Sequence, residues 1–190
     1  MKTISIFNAL LLSLFLTSCS SLQSSFIVGE RITFLEDEVG NETVWKIENK
    51  IFHVRIVGTN SLVASVVEWD SEKKTHDLKT EEIIISQLND HMFLNVKIDD
   101  LYNIHYMVPA DNKRVILFYN IDGDELKKHI SKGVIETEKD SGIYQLEGTK
   151  EEIDKFIIKN HRLIFDPSNV TVGHLISGEL KFELKEGRRS

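Results

Sequence analysis

The chain has one cysteine and two prolines among 190 residues. A lone cysteine excludes a disulfide within the chain and any thiolate-rich zinc site. Two prolines leave nothing from which to build a proline-rich linker, and no glycine-rich phosphate loop is present. Positive charge is also short: 23 Lys and Arg stand against 30 Asp and Glu, a net charge of −7. A body so acidic excludes nucleic acid and anionic headgroups as partners held by electrostatics. No apolar run reaches membrane-spanning length. The longest, Ile4 to Leu16, is interrupted by Ser5, Asn8 and Ser13. It would extend roughly 20 Å as a helix, against a hydrocarbon core of roughly 30 Å.

What is present at the N-terminus is an address. Lys2 supplies a positive start, and the apolar run follows it directly, the order of an export signal. Leu16-Thr17-Ser18-Cys19 resembles the lipobox of bacterial lipoproteins: an aliphatic residue, two small residues and the acceptor thiol. The resemblance implies diacylglyceryl transfer to Cys19, cleavage before it and N-acylation. The lone cysteine of the chain is then consumed. Two or three acyl chains hold a protein to a bilayer where one is marginal. By the same resemblance, Ser20 rather than Asp after the cysteine favours the outer membrane as the destination. The expected organisation is a signal over residues 1–18, a lipidated flexible tether over 19–25, one globular domain over 26–184 and a charged tail over 185–190. Removing 18 residues from 190 leaves 172, enough for one domain with a core of its own. The tether, Ser20 to Ser25, would reach about 12–14 Å on average.

Strand signals dominate from Phe26 to Phe118. They run through Phe26–Val28, Arg31–Leu35, Val44–Ile47, Ile51–Val57, Leu62–Trp69, Ile83–Ile85, His91–Ile98, Asn103–Val108 and Arg114–Tyr119. Ile51, His53, Arg55 and Val57 alternate with Phe52, Val54 and Ile56, which predicts one wet and one buried face. After residue 120 the pattern changes. Asp122 and Thr149 each stand three residues before a glutamate and open apolar positions at helical spacing. Gly133–Glu136 and Gly142–Leu146 read as a hairpin between these helices, and Leu175–Leu184 as a last strand. The expected fold class is α+β: an antiparallel, curved β-meander, a partial barrel or sandwich, with two short helices in the C-terminal half.

Three segments, Phe93-Leu94-Asn95-Val96, Tyr102 to Pro109 and Glu152 to His161, resemble an uncharacterised group of small bacterial secreted and lipoprotein domains. Members often carry a histidine after the Val-Pro pair; here Ala110-Asp111-Asn112 follows. The resemblance implies a strand-rich domain with late helices and no particular chemistry.

No catalytic or metal-binding constellation stands out, and none of the residue patterns indicates a cofactor. None of the seven histidines falls in a His-x-His or His-x-x-x-His pair. Asp122-Gly123-Asp124-Glu125 lacks the ligand spacing of a calcium loop and reads as a helix cap. Asp99 and Asp100 are adjacent, which on a strand sends them to opposite faces. Two functional expectations follow. A non-enzymatic binding or envelope-support module would present an apolar concave face or groove to an apolar ligand or envelope protein. A hydrolase-like enzyme would bring two or more of His53, His91, His105, Asp99 and Asp100 into one pocket. The anchor itself is directly testable: Cys19→Ala should leave the domain folded and release it from the membrane fraction, as followed by detergent phase partitioning.

Overall fold

The computed structural model describes residues 20–70, 73–129, 135–137, 142–179 and 181. Residues 1–18, read from sequence as a signal, lie outside the described residues, as do Cys19, residues 182–190 and the start of the predicted hairpin at Gly133. Twelve strands are present among the described residues: β1 (Ser21–Ser24), β2 (Glu30–Arg31), β3 (Glu42–Ile47), β4 (Lys50–Gly58), β5 (Ser61–Asp70), β6 (Thr75–Leu88), β7 (His91–Ile98), β8 (Leu101–Ala110), β9 (Val115–Ile121), β10 (Ile135–Thr137), β11 (Ile143–Leu146) and β12 (Phe165–Ser177). Among the described residues two α-helices, α1 (Gly123–Lys127) and α2 (Lys150–Ile164), precede and follow the β10–β11 hairpin.

Period-two alternation decides which face of each strand is buried, and β4 shows it plainly. Phe52 and Ile56 are buried, Val54 is half-buried, and Ile51, His53, Arg55 and Val57 are exposed. Strands β3 to β9 pair antiparallel in sequence order. β12 then pairs with both β9 and β3, so eight strands close into a barrel. The α+β class with an antiparallel meander and two helices therefore holds, and of the two curved forms expected the sheet takes the barrel, closed rather than partial.

Both helices begin where the capping residues predict. Asp122 accepts from the backbone N–H of Asp124 at 3.0 Å and of Glu125 at 2.9 Å. Thr149 and Glu152 form a reciprocal capping box. Helix α2 buries Ile153, Ile157 and Ile164 against the outside of the barrel, together with Leu22, Phe93, Ile104 and Tyr144. A second, larger core lies inside the barrel, with Trp45, Phe52, Ile56, Leu62, Val96, Met107 and Phe118 among its members.

Four features differ from the sequence expectation. The stretch read as a flexible tether contains β1, which runs parallel to β11 and antiparallel to β8, with Leu22, Gln23 and Ser24 buried. Ser21 already donates to the Gly142 carbonyl at 2.9 Å, so only Ser20 separates Cys19 from ordered strand. The segments Phe26–Val28 and Arg31–Leu35 are not strands, apart from the short β2 pairing of Glu30–Arg31 with β6. Instead, Ile32 donates to Ile85 O and Phe34 to Thr59 O, and both side chains are buried in the barrel core. They close the barrel at the end carrying the β4–β5 and β6–β7 turns. Ile83–Ile85 belongs to a 14-residue β6 whose polar first half is held by β5. The last strand begins at Phe165, straight out of α2, rather than at Leu175; an irregularity between Asp166 and Val170 accommodates Pro167.

Trp45 is the largest side chain in the barrel core, and its Nε1 donates to Thr43 Oγ1 at 2.9 Å. Trp45→Ala should therefore cost about 3–5 kcal/mol of unfolding free energy in urea titrations.

Candidate functional site in the barrel interior

Inward-facing positions are fixed by the strand register. Val96 faces Asn103, Leu94 faces His105 and Met107 faces Phe118 across neighbouring strands. These side chains do not fill the barrel. A cavity of about 80 Å³ remains, lined chiefly by Trp45, Phe52, Leu62, Ala64, Ile83, Leu94, Ile116 and Phe118. Only two ionisable groups, Glu81 and His105, line it as well. It is roughly half the size of the about 150 Å³ apolar cavities known to stay dry and accept benzene.

Burial acts on both ionisable groups. It raises the Glu81 carboxyl above its usual range, with Asp99 adding to the effect and Lys79 opposing it. It pushes the His105 imidazole down to about 4, so this ring is neutral at pH 7. His105 as a whole is half-buried, but its Nε2 has no accessible surface and no partner among the described residues. The end opposite the Phe34 closure is polar. There Glu68 pairs with Lys50 and, at 3.5 Å, with Lys79, linking β4, β5 and β6 across the rim.

The other residues singled out by sequence lie elsewhere. His53 is on the outer face, with Nδ1 2.6 Å from Glu42 Oε1. His91 is also outside, where its Nδ1 is 3.1 Å from Tyr106 Oη and its ring centroid is 4.0 Å from that of His161 on α2. Burial lowers the His91 pKa, and the neighbouring His161 and Arg162 lower it further against the pull of Asp90. Asp99 and Asp100 form the two-residue turn between β7 and β8, Asp99 at φ 53°. Thus His53, His91 and His105 occupy three separate surroundings and do not share a pocket. Among the described residues no group of three or more His, Cys, Asp or Glu side chains is placed to hold a metal ion.

Sequence reasoning missed the Lys50–Glu68–Lys79 rim, whose members are more than ten residues apart and meet only through strand pairing. It also missed the cavity, although one signal for it was available. Asn103, His105 and Met107 stand at period-two spacing in β8 beside the apolar alternation of β7.

A wider groove of about 600 Å³ runs past Leu35, Arg114, Leu175 and Lys181, but it is shallow and mixed in character. The apolar interior of the barrel is the better candidate for small-molecule binding.

His105 predicts a pH dependence with a definite sign. Its folded pKa lies below its ordinary 6.5, so the unfolded chain binds the proton first. The stability His105 contributes is complete above pH 6.5 and is lost as pH falls from there toward 4. Urea unfolding at pH 7 and pH 4 should show the wild type losing about 2–3 kcal/mol more than His105→Leu over that interval. Equal losses would mean that the ring is wet in the folded protein. Comparison with known proteins adds no constraint: the chain matches no family model, no curated protein and no solved structure.

Proposed function

We propose that this protein is a lipid-anchored binding module of the bacterial cell envelope, held at the outer membrane by acylated Cys19 and taking a small apolar ligand into its barrel. The observation that carries the binding half of the reading is the apolar cavity beside Trp45, lined by inward-facing side chains of the closed barrel. A closed barrel of eight strands is just wide enough to be filled by side chains or to hold one small ligand. Here the side chains leave space. Natural interiors are packed at close to crystal density, and an unfilled core volume costs stability unless something else occupies it.

Membrane attachment is supported by the lipobox-like segment and by the acidity of the body, which leaves acyl chains as the means of adhesion. With β1 starting at Ser21, an anchor at Cys19 would hold the barrel against the bilayer without a flexible spacer. A small apolar solute partitioned in that bilayer would be the natural source of ligand. The cavity is too small for a whole acyl chain, so the ligand class is a compact hydrocarbon skeleton rather than a lipid.

Trp45 and Ala64 make the proposal measurable. Trp45 lines the cavity, whereas Trp69, the second tryptophan, is 57% exposed and can be replaced by Phe. Cyclopentane should shift the Trp45 emission and raise the melting temperature of Trp69→Phe protein. Ala64→Leu, which fills the cavity from β5, should retain the fold and abolish both effects. Absence of any response in the protein that retains Ala64 would remove the binding proposal.

A further inference from the structure

Helix α2 is fastened differently at its two ends, and only one of the fastenings responds to protons near neutral pH. At its start, Lys150 Nζ donates to Gly29 O at 2.8 Å and to Asp154 Oδ2 at 2.7 Å. Gly29 N donates to Asp154 Oδ1 at 2.9 Å. Opposite charges meet there, and neither an aspartate nor a lysine ordinarily titrates near pH 7.

At the other end two imidazoles meet. The ring of His161, in the last turn of α2, has its centroid 4.0 Å from that of His91 at the start of β7, the planes tilted by 45°. Both side chains are half-buried. His161 Nδ1 lies 3.0 Å from the Ile158 carbonyl, which can only accept, so that nitrogen carries a proton. His91 Nδ1 is hydrogen-bonded with Tyr106 Oη at 3.1 Å. Around the pair stand Arg162 on α2, Asp90 in the β6–β7 turn, Tyr106 on β8 and, behind it, Tyr119 on β9. Among the described residues no carboxylate forms an ion pair with either ring, whereas His53 has Glu42 at 2.6 Å. A third histidine at α2, His129, meets the apolar ring of Phe156 instead.

Such a contact suits two neutral rings. Protonating both would place two like charges against each other beside a third, Arg162, with Asp90 as the one opposing carboxylate. A released helix would let the rings part and take up protons freely, so acid favours release. We infer that the His91–His161 contact is an acid-sensitive latch, holding the C-terminal half of α2 on the barrel at neutral pH and freeing it as pH falls from about 6.5 toward 5. The sense of the shift at His91 agrees: burial, His161 and Arg162 all lower its pKa. The latch covers the second core, in which Ile157 and Ile164 of α2 join Phe93 of β7 and Ile104 of β8. Release would therefore bare an apolar face on the outside of the barrel. The latch is independent of the cavity and of Cys19.

Amide hydrogen exchange over residues 157–163 tests the latch, with β4 and β5 as the internal reference and the chemical exchange rate corrected for pH. Between pH 7.5 and pH 5, α2 should lose at least about tenfold more protection than the strands, the effect of one excluded proton over one pH unit. His105 lies inside the barrel and acts on the strands, so it does not produce that excess. His161→Phe and His91→Phe each keep an aromatic contact and leave a single imidazole at the junction. Either should cut the excess to below about threefold. Equal losses in helix and strands, or an excess that survives both substitutions, would overturn the latch. Should neither variant fold, NMR titration of the wild-type rings decides. Coupled rings take up their protons in two separated steps, and two independent single-site curves would contradict the inference.

Discussion

β12 is hydrogen-bonded along both edges, to β9 through Val170–His174 and to β3 through Gly173–Ser177, and the rest of the molecule depends on that closure. An eight-stranded sheet left open there would expose two edges ready to pair with another chain. Closing it turns one face of every strand inward and converts simple alternation into an inside and an outside. β12 manages this although it starts with Asp166-Pro167-Ser168-Asn169. The irregularity at those residues carries Pro167 out of the ladder and returns the strand to register at Val170.

The outside of the barrel is completed by chain from both ends. β1 and β11 extend the sheet past β8, and α2 lies over the outer faces of β7 and β8 to enclose the second core. Gly29 lies at the crossing of the N-terminal segment over β6. Its φ of 72° and a spacing of 2.4 Å from an added Cβ to Gln87 O leave no room for a side chain. Its N–H donates to Asp154 and its carbonyl accepts from Lys150, both on α2, so this one residue ties segment, sheet and helix together. The same arrangement brings β1 alongside the first residues of β8 through the Gln23–Asn103 and Ser24–Tyr102 pairs. Closure of the barrel thus creates the interior on which the functional reading rests.

Much of this architecture was legible because it is local. β7 occupies His91–Ile98 as its alternation predicts, and both helices start at the residues whose side chains can cap them. What was illegible is tertiary. Ser21–Ser24 has the composition of a linker and becomes a strand only because Ile143–Leu146, over 100 residues away, offers an edge. Ile32 and Phe34 read as strand because they alternate, yet their role is to stop one end of the barrel. The polar start of β6 is held by the length of its hairpin with β5 rather than by burial. At the candidate site His105 was visible as a residue but not in its surroundings. His53 and His91 look equivalent to it in sequence and face outward.

The central claim is that the barrel holds an accommodating apolar space beside Trp45. It is tested most directly by a crystal structure determined under xenon pressure, since xenon enters dry apolar cavities and little else. The account predicts a xenon site inside the barrel, in contact with Trp45, Phe52, Ile83 and Phe118. A barrel whose inward side chains close over that space, with no xenon among them, would contradict it.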